Sequence, residues 1–485
     1  MLKNIYRKTI SILTAVVLGS GLFSFVGALP ASATTSNNVG TWTTEANSLP
    51  IEMAAATSVV NGRMYVIGGF LGYGIGGNSN TVFSSQINND GSVGPWVAEE
   101  NQLPNYLDFS ASVTYNNHIY VLGGQDNSFS GVVDTVYSST INSDGSIGSW
   151  TTEINSLPQA LSGGMAFVYS GRVYYMGGAN VGSSYGNAVD TVYSAPINND
   201  GSIGAWTTEA NSLPDQIEFA TTVAYNGHVY VLGGVDINTG LNTVFSAPIN
   251  NDGSIGAWTT EANSLPDLVD SATSVVFNGR IYTFGGFNGG QNFSSNVYSS
   301  SINHDGSIGP WETETNSLPN ALGYATGVVY KSHVYIAGGF DGGFYNTVFS
   351  APLNGTLSQT SNSLSGKSSV VSPLSNVIDS QDNTTLSILT QPSHGTASVS
   401  SSGITYTSMN GYVGSDSLVY QICASYNHDV CSTITLSLNV TAAVNAPNTG
   451  AGNMSNSKLV IISIILISTI VSVGYIFRNK FLIKN

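Results

Sequence analysis

The 485-residue sequence predicts an all-β protein made of six repeated four-stranded units, a small β-sandwich and one C-terminal transmembrane helix. Three observations carry this. Trp recurs at 42, 96, 150, 206, 258 and 311, and Gly-Gly recurs at 68–69, 123–124, 177–178, 233–234, 285–286 and 338–339. An aromatic followed by Ser recurs at Phe83, Tyr137, Tyr193, Phe245, Tyr298 and Phe349, so the period is 52 to 56 residues. Short alternating apolar runs return between Leu386 and Val440, and Leu459 to Phe477 is an uncharged stretch of 19 residues.

Within a repeat the parts read as four strands. The run Ala56 to Val60 ends at Asn61-Gly62, a pair that accepts φ > 0 and signals a tight hairpin. Met64 to Ile67 follows and stops at Gly-Gly. Thr81 to Ser84 is the third strand, and Asn88-Asn89-Asp90-Gly91-Ser92 turns the chain into a fourth strand holding Trp96. Four short strands with one Gly-Gly and one Trp per unit resemble kelch repeats from Val39 to Leu357. The resemblance implies a six-bladed β-propeller around a central channel. Blade six lacks its own Trp strand. The segment around Trp42 is expected to supply it and close the ring, the alternative being Leu357 to Leu364.

Length variation points to a face. The spacing from Trp to the next Gly-Gly is 26 or 27 residues, and from the aromatic to the next Trp always 13. From the second Gly to the aromatic it runs from 10 to 15. The loop between strands two and three therefore absorbs the change and lies on the surface. In kelch propellers that loop shares a face with the blade connections. Candidate ligand-binding residues on it are Tyr73, Phe129, Tyr185, Phe293, Phe344 and Tyr345, rings set among Gly, Ser and Asn as in adaptable binding loops. The connections place Ala54, Asp108, Ser162, Glu218, Asp270 and Gly323 at one position, so Asp108, Glu218 and Asp270 are candidates for one channel mouth. The bland alternative is that the rings cover loop backbone and the acids are solvated.

No catalytic constellation stands out. The copper oxidases that resemble this fold need paired His, Tyr and a propeller Cys, and no Cys lies in these repeats. Asp90, Asp144, Asp200, Asp252 and Asp305 each offer one carboxylate in a hairpin turn, too few for calcium. No metal and no cofactor are expected. Arg63, His118, Arg172, His228, Arg280 and His333 alternate strictly at the start of the second strand, read as structural partners for Tyr or acids rather than an anion site. The function expected is binding or adhesion to a glycan or protein. The alternative is a carbohydrate-active hydrolase, oxidase or mutarotase at a channel mouth.

Ser358 to Pro373 reads as a linker and 374–441 as the second domain. There Pro392-Ser393-His394-Gly395-Thr396, Ile404-Thr405-Tyr406 and Gly414-Ser415-Asp416-Ser417 resemble bacterial cadherin-like and immunoglobulin-like surface modules, which act as stalk spacers. Cys423 and Cys431, the only cysteines, flank a turn-like stretch and are read as a disulfide across a hairpin. Asp379 and Asp382 are read as a solvated turn in preference to a calcium site.

The ends predict export and tethering. Lys3, Arg7 and Lys8 precede an apolar run and Ala31-Ser32-Ala33, a signal peptide over residues 1–33. Ala446-Pro447-Asn448-Thr449-Gly450, within the 442–458 linker, resembles a sortase sorting signal, with Ala where that signal has Leu. It precedes the expected helix at 459–477 and a basic tail at 478–485 that stays in the cytoplasm. The body is thus expected at a bacterial cell surface, with sortase, the cell wall and the membrane as partners. Between Thr34 and Thr449 stand five cations against 28 acids, a net −23. Such acidity excludes nucleic acid, whose affinity rests on Lys and Arg.

Overall fold

The computed structural model describes residues 38–71, 77–127, 131–180, 187–236, 239–288, 292–303, 305–354, 357–373, 384–401, 403–424 and 431–442. The signal segment, the sorting-like motif Ala446–Gly450, the stretch 459–477 and its tail lie outside them, as do Tyr73, Phe129, Tyr185, Asp379 and Asp382. Among the described residues no helix is long and apolar enough to cross a membrane.

Blade one is Ala54–Val60, Arg63–Phe70, Val82–Gln86 and Val97–Ala98, an antiparallel sheet in chain order. Its first hairpin turns at Asn61 and Gly62 with φ of 51° and 72°, the left-handed pair that matches strand twist. The second strand is buried from Met64 through Gly69 because blades cover both of its faces. Gly69 has φ 95°, and a Cβ there would stand 2.2 Å from the Ala54 carbonyl, so no other residue fits. Five more sheets repeat the pattern. Their first strands, at Ala111–Tyr115, Met165–Tyr169, Thr221–Tyr225, Thr273–Phe277 and Thr326–Tyr330, each meet the two neighbouring first strands, and the sixth meets the first. The six innermost strands therefore form a closed ring, a β-propeller. Apolar clusters lie between blades: Met64, Val66 and Phe83 of blade one pack with Tyr335 and Val348 of blade six.

Closure uses the N-terminal segment. Thr43 and Thr44 pair with Ser350 and Phe349 of blade six, in the register that joins Thr151 and Thr152 to Ser138 and Tyr137 in blade two. Leu357–Leu364 does not close the ring. It runs parallel to Cys431–Thr441 in the second unit.

A carboxylate latch absent from our sequence reading repeats at every blade junction. Glu99 Oε1 accepts the Ser84 hydroxyl at 2.5 Å within blade one, and its Oε2 accepts Ile147 N of blade two at 3.0 Å. Glu153, Glu209, Glu261 and Glu314 do the same onward, and Glu45 joins Ser350 of blade six to Val93 N of blade one. Beside each latch an indole N–H donates to the carbonyl of an Asn one repeat earlier, as Trp96 to Asn47 at 3.1 Å and Trp42 to Asn316 at 3.1 Å.

The second unit is a two-sheet sandwich. One sheet orders as Leu357–Leu364, Cys431–Thr441, Gly414–Ala424 and Thr384–Thr390, the other as Ser368–Val371, Gly403–Ser408 and Gly395–Ser400. The expected linker at 358–373 is therefore largely strand. Its Ser-rich composition hides alternation, with Leu357, Gln359, Ser363 and Val371 buried. Buried Asp416 accepts Ser393 N and His394 N, both at 3.0 Å, and the Tyr406 hydroxyl at 2.8 Å. That is why the separated His-Gly, Tyr and Asp-Ser motifs occur together. Cys423 is disulfide-bonded, and the hairpin register sets it opposite Cys431.

Candidate functional site

The blade connections and the variable loops meet on one face, called upper here. Asp108 bridges to Gln125, Glu218 to Val235, Asp270 to Phe287 and Gly323 to Phe340, each time joining a connection to the residue after Gly-Gly. The three predicted acids thus occupy equivalent places. Asp108 is 5% exposed and Glu218 2%, while Asp270 is half-buried, so the solvated reading fails for the first two. Burial pushes the Asp108 carboxyl up to about 7. Burial, and then the nearby Asp270, push Glu218 to about 7. Burial lifts Asp270 to about 6 against the pull of the Ser271 hydroxyl, 3.0 Å away. Asp108 Oδ1 and Glu218 Oε1 have no hydrogen-bond partner among the described residues. None of the three lines the channel.

The next residue in each connection does line it. Phe109, Gly163, Phe219, Ser271 and Tyr324 all have φ between 47° and 64°, a left-handed backbone uncommon for side-chain-bearing residues. A belt of backbone bonds holds it: Gly163 N to Phe109 O, Phe219 N to Gly163 O and Ser271 N to Phe219 O at 2.9 Å, then Tyr324 N to Ser271 O at 2.8 Å. The rings of Phe109, Phe219 and Tyr324, from blades two, four and six, meet with centroids 5.2, 5.8 and 5.9 Å apart. Rings this close touch, so three alternate blades close the axis between them. Ala55, Gly163 and Ser271 stand between them. A Cβ on Gly163 would come within 2.9 Å of Phe219 Cε1, so the small residue makes room for the ring. The trio lies one residue beyond the acids expected on these connections. The signal was the alternation of aromatic and small at the fifth position after Leu-Pro.

From Tyr324 the aromatic contact continues outward through Phe287 at 5.6 Å, Phe293 at 4.3 Å, Phe340 at 5.4 Å, Phe344 at 4.7 Å and Phe70 at 5.5 Å. Eight half-buried rings from blades one, two, four, five and six form one band. Phe293 and Phe344 were expected on this face. Phe70, Phe287 and Phe340, each directly after Gly-Gly, were not. Tyr345 stands apart: it packs against the cluster around Phe349, and its hydroxyl donates to Asp341 at 2.7 Å.

Residues 271–299 match the kelch motif family, and residues 350–439 match the bacterial Ig domain family. The ring is a kelch-type propeller, and the second unit a bacterial Ig domain. A curated relative, the kelch-like protein terF of Aspergillus terreus, is 28% identical over 201 residues, 40% of this chain. The chain spans 41% of that relative's length. The solved structure of YjhT superposes with a TM-score of 0.50 at 16% identity, covering 64% of this chain and 95% of that one, a likeness of fold.

On the lower face of the kelch ring the Arg and His alternation has a structural role. Every one of these Arg and His side chains except Arg280 lies over the Asp-Gly-Ser turn of the next blade, as Arg63 against Gly145 and His118 against Gly201. Hydrogen bonds from Ser146, with Arg63 nearby, hold the Asp144 carboxyl below its usual range. Asp90 likewise accepts from the Ser92 amide and hydroxyl, which makes its turn a capped hairpin. Blade six has no such turn in its sequence, because its fourth strand comes from the N-terminal segment at Thr43–Thr44. Arg280 of blade five instead pairs with Glu312 of its own blade. Among the described residues no group of three or more His, Cys, Asp or Glu is placed to hold a metal.

The channel between the mouths holds two chambers. The upper, about 290 Å³, lies by the aromatic trio and is walled by Ala, Ser and Thr. The lower is about 340 Å³ and reaches exposed Asn116 and Asn117.

Proposed function

We propose that this chain is an exported, surface-tethered binding protein whose kelch propeller recognises an extracellular glycan or protein through its upper face. The aromatic band carries the reading. Contiguous rings on the loops that vary in length offer rigid apolar area with polar Ser and Asn beside it, the composition of recognition surfaces. In this reading Phe293 and Phe344 contact the ligand. The Ig domain serves as a spacer, and the C-terminal segment holds the chain at the membrane or, through sortase, at the cell wall. The test is a glycan and protein array probed with the wild type and with Phe293→Ala/Phe344→Ala. Binding that the double substitution removes supports the proposal. An array with no signal above background rejects it.

A second reading, a carbohydrate-active enzyme, draws on the two adjacent carboxyls Glu218 and Asp270, both raised towards neutrality by burial. It requires turnover of a sugar substrate that Glu218→Gln abolishes while the fold persists.

A further inference from the structure

The propeller keeps its positive charge on one face. Arg63, Arg172, Arg280 and Lys331 are its only Lys and Arg, and all four sit at the first-hairpin turns of the lower face, as do His118, His228 and His333. There they have acids for neighbours: Arg63 has Asp144, Arg172 has Asp252 and Arg280 has Glu312.

The upper face has acids alone. Its blade connections and variable loops contain no Lys, Arg or His in their sequence. Asp126, Asp236 and Asp341 stand two residues past Gly-Gly, and Glu52, Asp215 and Asp267 are exposed beside the Leu-Pro pairs. Acids and rings interleave. Asp270 bridges to Phe287, Asp341 follows Phe340 in the loop that carries Phe344, and Glu52 precedes Met53, whose amide donates to the Tyr345 carbonyl at 3.1 Å.

This combination selects a charge. Ring faces attract ammonium and guanidinium groups, and the stems of Lys and Arg pack on apolar surface. Carboxylates around the rings add Coulomb attraction. An acidic peptide or a uronic-acid glycan meets repulsion that no cation here offsets. The rings run across several blades as an open surface, which suits an extended chain, and the long stems of Lys and Arg reach half-buried rings between loops.

We infer that the upper face takes a Lys- and Arg-rich segment of a partner protein, with Phe293 and Phe344 against its cationic side chains and the surrounding carboxylates facing their charge. The inference rests on the upper face being the binding surface and names the chemistry that this surface selects.

The test titrates the full chain with a synthetic peptide of repeated Lys-Gly-Arg-Gly units, with the same peptide carrying Glu in place of Lys and Arg, and with chitosan oligosaccharide, read by calorimetry. The basic peptide binds saturably and the acidic one does not. Affinity falls several-fold between about 50 and about 200 mM salt. Glu52→Gln/Asp341→Asn removes two exposed charges beside Phe344 and weakens binding roughly three- to tenfold, while the amide oxygen at 341 can still accept the Tyr345 hydroxyl. Phe344→Ala weakens it by a similar factor and repeats the reading should the double variant unfold, which thermal melting monitors. Asp144→Asn/Asp200→Asn makes the same charge change on the lower face and leaves binding unchanged. No saturable binding of the basic peptide overturns the inference. So does an equal loss in the lower-face pair, the mark of diffuse attraction to an acidic protein. Tighter binding of chitosan oligosaccharide than of the peptide overturns it in favour of a cationic glycan. A neutral or acidic ligand on the array, lost in Phe293→Ala/Phe344→Ala, overturns the basic segment while the upper-face reading stands, and an array without signal rejects both.

Discussion

The Tyr230 hydroxyl in blade four donates to the Gly306 carbonyl in blade five at 2.7 Å, spanning the junction from within the core. Tyr65, Tyr120, Tyr174 and Tyr335 make the same bond to Gly145, Gly201, Gly253 and Gly91. Among the described residues Tyr282 makes none, and the blade it faces has no Asp-Gly-Ser turn in its sequence. Tyr230→Phe should therefore cost about 1–2 kcal/mol, leaving a buried carbonyl unpaired. Tyr282→Phe should be neutral or slightly stabilising. Urea titration of the two variants side by side checks the contrast.

The glutamate latch predicts a larger effect. Glu153→Ala removes the acceptor of both the Ser138 hydroxyl and Ile203 N. A loss of about 2–3 kcal/mol is expected. Glu45→Ala removes the equivalent bonds where the N-terminal strand closes blade six onto blade one. There the loss should also expose the seam. Limited proteolysis should cut the Glu45→Ala variant near its N-terminal strand before any other blade, and Glu153→Ala should show no such preference.

The buried carboxyls set a pH dependence. Folded Asp108 and Glu218 hold their protons to about pH 7 and Asp270 to about pH 6. In the unfolded chain the same groups ionise near pH 4, at roughly 3.9 for Asp and 4.3 for Glu. Between those limits the folded state binds more protons, so their contribution is full below about pH 4 and is lost as pH rises towards 7. The turn aspartates, held below their usual range, act with opposite sign and lose their contribution as pH falls through the acid range. The melting temperature should fall from mildly acidic to neutral pH, and Asp108→Asn should flatten that decline. An unchanged slope in the variant would contradict the assignment.

Reduction should separate the two units. The Cys423 disulfide closes a short hairpin, so its loss should destabilise the Ig domain by about 2–3 kcal/mol. Calorimetry with and without dithiothreitol should show one transition moving and the propeller transition staying.

Much of the ring was legible because a repeat must present the same Gly-Gly, Trp and aromatic to each neighbour. Closure by the Trp42 segment followed from one missing Trp. The latch stayed hidden because Glu in Thr-Thr-Glu looks like a solvated strand end, and only the fold brings it under the next blade. Phe109, Phe219 and Tyr324 were missed for another reason. Their meaning lies in convergence on an axis, and the alternation of aromatic and small after Leu-Pro shows only when all six repeats are set side by side. Leu357–Leu364 misled by composition, since a strand of Ser, Thr and Asn has few apolar residues to reveal its alternation.

Aromatic blades carry His and small-residue blades carry Arg, so the ring is in effect a trimer of dissimilar pairs. Removing or adding one blade would bring two like members side by side. Either two bulky rings would compete for one space, or two small residues would leave a gap in the cap. Changes in blade number by evolution or engineering should therefore come in twos, with four- and eight-membered relatives more accessible than five or seven.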